Sequence, residues 1–110
     1  MKIVNISAFH TVTELPINTD CRIVSPTANN AIKTVQSIIL KSPKTTDSEF
    51  ILKSGSSGGA RHEIMNVFVA MNSTKIINVK HQLPESTGMF ASATGGGVIT
   101  VSGVEATLGE

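Results

Sequence analysis

Apolar residues along this chain fall on alternate positions in short runs. Each run is closed by Pro, Asn, Gly or Ser, and the runs recur every 8–12 residues or so, the mark of a β-sandwich or barrel. In an extended strand successive side chains point to opposite faces, so one apolar set per run means one buried face. The first runs predicted are residues 2–6 and 8–14, followed by a turn region carrying Pro16, Asn18 and Asp20. Residues 21–25 form a short strand stopped by Pro26 and the turn-forming pair Asn29-Asn30. Residues 32–41 are the strongest early strand, and Ser42-Pro43 ends it because proline has no N–H to give a ladder.

Residues 48–54 place Phe50 and Leu52 on one face and Ile51 and Lys53 on the other. Gly55-Ser56-Ser57-Gly58-Gly59 has linker composition, but between two strands it reads as a hairpin loop. Residues 63–71 are apolar on both faces, with Met65, Val67, Val69 and Met71 set against Ile64, Phe68 and Ala70. That pattern predicts a central strand covered on both sides. Asn72-Ser73 is a tight turn into residues 74–80, residues 81–88 read as a polar loop, and residues 89–94 as a strand before the turn at Gly95-Gly96-Gly97. In the closing strand Ile99 and Val101 share a face while Val104, Ala106 and Leu108 are out of phase, so a bulge at Ser102-Gly103 is expected to restore the register.

The expected fold class is all-β, an antiparallel β-sandwich of jelly-roll or Ig-like type with about eight strands. It is expected to form one domain over residues 1–110, with residues 1–15 a candidate N-terminal arm. Helix is disfavoured, because the one stretch with helical character, residues 28–35, is rich in β-branched side chains.

Composition narrows the function classes. A chain of 110 residues can bury a core without disulfides or metals, and the lone Cys21 permits no intrachain disulfide. Its setting, Asp20-Cys21-Arg22-Ile23-Val24, reads as strand packing. A net charge of +1 gives no electrostatic case for nucleic acid. All nine Lys and Arg lie between Lys2 and Lys80, so the last thirty or so residues differ in character from the body and suggest two kinds of surface. With no Trp or Tyr, stacking platforms for sugars or single-stranded nucleic acid are poorly supplied. No stretch approaches the roughly 20 apolar residues of a membrane-spanning helix.

The candidate chemistry is thin. His10, His62 and His81 match no zinc spacing, and one cysteine cannot complete a structural site. His62 and Glu63 are adjacent and so point to opposite faces of a strand. Glu14 and Glu49 could pair only across the fold, without a sugar platform beside them. Cys21 as a nucleophile would need a histidine brought to it in space. Neither glycine run is followed by Lys-Ser/Thr or opens a helix, so phosphate cradling is unsupported. The expectation is a chain that is not an enzyme and uses no cofactor or metal.

Residues 35–41, 50–59, 64–71, 74–79, 89–97 and 98–108 form an ordered layout: a strand ending in a polar turn, a Ser/Gly hairpin, two strands about a polar turn, a small-residue segment, a glycine turn and a closing strand. That closing strand contains Ile99-Thr100-Val101-Ser102-Gly103-Val104-Glu105-Ala106-Thr107. From about Asn29 onward this layout resembles a family of small β-sandwich structural proteins of tailed bacteriophages, whose last strand follows a V-x-V-S-G-V-E-x-T pattern. The chain departs from it at Pro84-Glu85-Ser86-Thr87-Gly88, where that family tends to carry a Glu-Gly-Asp turn. The resemblance implies a virion structural protein, foremost a capsid decoration or cement protein bound between major capsid subunits. Alternatives are a neck, tail or baseplate adaptor, and a receptor- or glycan-binding module of a fibre. It implies the major capsid protein or other virion proteins as partners, a homo-oligomer with a trimer as first expectation, no nucleic acid and no membrane. The location implied is the virion, assembled in the host cytoplasm. Contact residues are expected in the arm, at Lys2, Ile3, Val4, Ile6 and Phe9, through addition of a strand to a neighbour. The same residues serve equally well as the first strand of the chain's own sandwich.

Overall fold

A computed structural model describes residues 2–56 and 58–109. In chain order the strands are β1 (Lys2–Leu15), β2 (Cys21–Val24), β3 (Ala31–Lys41), β4 (Ser48–Gly55), β5 (Arg61–Val69), β6 (Thr74–Leu83), β7 (Gly88–Ala93) and β8 (Gly97–Gly109). They pair antiparallel into two four-stranded sheets, β1-β8-β3-β6 and β2-β7-β4-β5. Only β4 and β5 are joined as a hairpin within one sheet; the other connections cross between sheets. This is the strand order of a jelly roll, which decides between the two sandwich types expected.

The core is the layer between the sheets. Ile38 and Leu40 of β3 face Val101 and Ile99 of β8, and all four are at most 1% exposed. Phe50 and Leu52 of β4 and Met89 and Ala91 of β7 meet them from the other sheet. The alternation expected along β4 therefore holds. Turns use the residues that tolerate a left-handed backbone: Asn18, Asn30 and Asn72 have φ of 52°, 60° and 54°. Gly97 has φ of 142°, and a Cβ there would stand 2.8 Å from the Phe50 ring, so both backbone and packing require glycine. Buried hydroxyls pin the loops. Thr27 donates to the Leu83 carbonyl at 3.0 Å, and Ser48 accepts from the Gly95 amide at 3.1 Å.

Four expectations need correction. The first two runs are one strand, because β1 stays paired with β8 straight through Ser7. β5 is an edge strand, paired only with β4, and its outward Phe68 is 56% exposed. Apolar residues on both its faces do not mean cover on both. The expected loop at residues 81–88 begins later, since His81, Gln82 and Leu83 pair with Val35, Thr34 and Lys33. β8 has no bulge at Ser102-Gly103. The extra residue lies opposite, on β3: Val35 pairs with Gly103 and Ser37 with Ser102, leaving Gln36 unmatched. Val104, Ala106 and Leu108 consequently lie on the outer face of the sheet.

On the second sheet Met89 and Ala91 point inward, so Phe90 faces out, yet it is only 4% exposed. Arg61 covers it, with its guanidinium 3.7 Å from the ring centroid and an ion pair to Asp20. Replacement Arg61→Ala uncovers the ring and removes the cation–π contact, and is expected to lower stability by about 1 kcal/mol. Urea denaturation measures this, and Arg61→Lys should recover only part of the loss because a lysine cannot lie flat on the ring.

Candidate interaction surface

Along β1 burial alternates from Phe9 to Leu15, with odd positions inward and even positions outward. Before Phe9 the alternation stops: residues 2–8 are exposed on both faces. Their partners at residues 105–109 of β8 are only half-buried, and β3 continues the ribbon where Ala31, Ile32 and Lys33 pair with Thr107, Ala106 and Glu105. The β1–β8 ribbon thus loses cover at this end while Ala31 of β3 beside it stays buried, in a molecule of 51 × 26 × 17 Å. Phe9 closes the core at the base of the ribbon. Its ring packs where Gly103 has no side chain, and Lys33 Nζ stands 5.8 Å from the ring centroid while donating to the Ser25 carbonyl at 2.9 Å.

The structure brings Lys2, Ile3, Val4 and Ile6 together on this ribbon, the three apolar ones 57–61% exposed. Phe9 is separate from them, half-buried against the core cluster. Register adds residues that sequence reading missed. Val12, Thr100, Ile39 and Ile76 are opposite one another across all four strands, and Ile6, Ala106 and Ile32 form a second row. Directly opposed residues share a face, so both rows lie on the outer side of the sheet. Val12 and Ile76 are 61% and 64% exposed. The outer face is therefore a broad apolar and hydroxyl surface, with His10, Glu14, Lys41 and Lys80 as its charged or titratable members.

The two long edges at opposite corners differ. On β5, Lys75 Nζ donates to the Phe68 carbonyl at 3.3 Å, and a lysine on an edge blocks further pairing. On β1, among the described residues, no side chain hydrogen-bonds to the backbone of residues 2–10. The strand carries no proline and has one irregularity, at Val4.

The polar candidates do not converge on chemistry. His10 Nδ1 is 2.8 Å from Ser102 Oγ on the outer face, in an exposed pair with no carboxylate hydrogen-bonded to it among the described residues. His62 and Glu63 are both exposed on β5. Cys21 is half-buried, with Sγ 3.7 Å from the Thr19 carbonyl. His81 Nε2 is buried without a hydrogen-bond partner among the described residues, beside a cleft of about 310 Å³ lined by Ile38, Ile64, Met65, Val79 and Met89. Among the described residues no three His, Cys, Asp or Glu side chains stand close enough to hold a metal ion.

No protein-family model matches the chain, and no curated protein matches it in sequence. Solved structures do share its fold. A protein of Bacillus endospore appendages, which form disulfide-linked pili, superposes with a TM-score of 0.59 at 15% identity over 99% of this chain and 92% of that one. The Drosophila NLP core, studied for pentamer formation and histone binding, gives 0.57 at 13% identity over 87% and 96%. A protein of the infectious bursal disease virus particle gives 0.53 at 5% identity, covering 96% of this chain and 36% of that chain. The class is thus an all-β jelly-roll sandwich with one sheet face left apolar and open. The same fold occurs in viral-particle and pilus proteins.

Proposed function

We propose that this protein is a structural subunit of a repeated protein assembly, working by contact and not by chemistry. In its sharper form it is a decoration protein on the head of a tailed bacteriophage, seated across junctions between major capsid subunits. The observation that carries the reading is the outer face of β1-β8-β3-β6, with Val12, Ile39 and Ile76 in one row and the uncovered ribbon beside it. A surface of this kind stabilises what it binds when it binds the assembled state alone, because every occupied site shifts the equilibrium toward assembly. The virus-particle fold likeness and the resemblance of the closing strand to phage proteins support this reading.

A second reading, a filament subunit, is favoured by the endospore-appendage likeness, which spans nearly all of both chains. Covalent links to two neighbours take two cysteines per subunit, and this sequence has only Cys21, so such a filament would be held by surface contacts. Quantifying the protein in purified particles separates the readings. A decoration protein is present in high copy number on expanded heads, whereas an adaptor of neck, tail or baseplate is limited to one ring. Absence from particles would overturn the decoration and adaptor readings and leave the filament, and binding of the isolated protein to a glycan array would favour a fibre module.

A further inference from the structure

We propose that β1 pairs edge to edge, antiparallel, with β1 of a second copy of this chain. The inference deepens the assembly reading and rests on it for the purpose of the surface, but its evidence is the strand itself. An edge strand holds a row of N–H and C=O groups that water or another strand must satisfy, so what fits this edge is extended backbone. β1 is the longest strand, it ends its sheet, and residues 2–8 are open on both faces. The opposite corner is guarded by Lys75 on the Phe68 carbonyl, while among the described residues nothing comparable guards residues 2–10. Four exposed large apolar side chains, Ile3, Val4, Ile6 and Val12, lie on this one strand.

Charge selects the partner and its direction. Lys2 and Glu14 stand at opposite ends of β1, with only His10 titratable between them. Antiparallel self-pairing brings the positive end of one strand to the negative end of the other; parallel pairing would set like ends together. A two-fold axis through any residue of the strand keeps both the hydrogen-bonding phase and the faces in step. With the axis at Ala8, Ile6 falls opposite His10 of the second copy, and the one-residue shift at Val4 brings Ile3 opposite Val12 of the second copy. The result is one continuous sheet with a doubled apolar outer face. Such an interface is isologous and closes on itself, which points to a dimer in place of the expected trimer.

The test is sedimentation equilibrium on the full chain, for the unaltered protein, Ala8→Lys, Ala8→Glu and an equimolar mixture of the two. Ala8 is exposed, so thermal unfolding by circular dichroism should show all forms folded alike. The unaltered chain should dimerise. Each charged form, which opposes like charges across the axis, should dimerise at least about tenfold more weakly, and the mixture should regain affinity. An unaltered chain that stays monomeric, or an Ala8→Lys form that dimerises as tightly, would overturn the proposal. A monomer still found at high copy number in particles would leave the virion reading standing, whereas a dimer absent from particles would remove the virion reading and keep the pairing.

Discussion

Replacing Phe50 with alanine is expected to cost about 4 kcal/mol, within the range for truncating a fully buried phenylalanine and comparable to the whole stability of a small domain. The ring is 0% exposed and is the largest fully buried side chain. Its ladder neighbours on one face are Val67 and Ala93, too small to move into the space it would leave. It also packs against the bare backbone of Gly97, where no side chain exists to collapse inward. The cavity would therefore persist, and cavities that cannot relax are the costly ones. Urea denaturation gives the number; a loss under about 1.5 kcal/mol would mean the site collapses and that the ring is not central to the core.

Gly103→Val should be nearly as damaging, by about 3 kcal/mol, for the opposite reason. A Cβ at this position would run into the Thr34 carbonyl oxygen and come 2.9 Å from the Phe9 ring. The ring could turn aside, but the carbonyl belongs to β3 next to the level where Gln36 is already unmatched, and moving it breaks the β3–β8 ladder. A Phe9→Leu background should therefore relieve only part of the loss, and the two changes should be non-additive because they share a contact. Equal losses with and without Phe9→Leu would place the whole strain on the carbonyl.

These two positions also mark how far the sequence could be read. Alternation in β4 located Phe50 and Leu52 correctly, because a strand with one apolar face has only one way to sit on a core. The phase change at Ser102-Gly103 was legible too, but its meaning was not. It marks the level where β3 takes an extra residue and where the apolar residues of β8 pass to the outer face. One strand's pattern reports a change of environment and cannot say which neighbour absorbs it. β5 failed for a related reason: apolar residues on both faces show that either could be buried, whereas cover of the outer face needs a layer packed over it, and Phe68 stands 56% exposed.

The exposed apolar surface of β1-β8-β3-β6 was half legible. Ile3, Val4 and Ile6 could be picked out because an apolar start on an arm has little core within reach. Parity already argued against grouping Phe9 with Ile6, since the two lie an odd number of residues apart and so on opposite faces. Val12, Ile39 and Ile76 could not be joined from sequence, because they meet only through the registers of β1, β8, β3 and β6.

The ribbon end of β1 is unpaired on one side in the isolated chain, and under the proposed pairing it becomes paired in the assembled form. Hydrogen exchange of residues 2–10, compared between the dilute monomer and the assembled form, tests this most directly. The amides that face the free edge should exchange rapidly when dilute and become protected on assembly, while β8 amides stay protected in both. Unchanged exchange along β1, with protection appearing elsewhere, would contradict it.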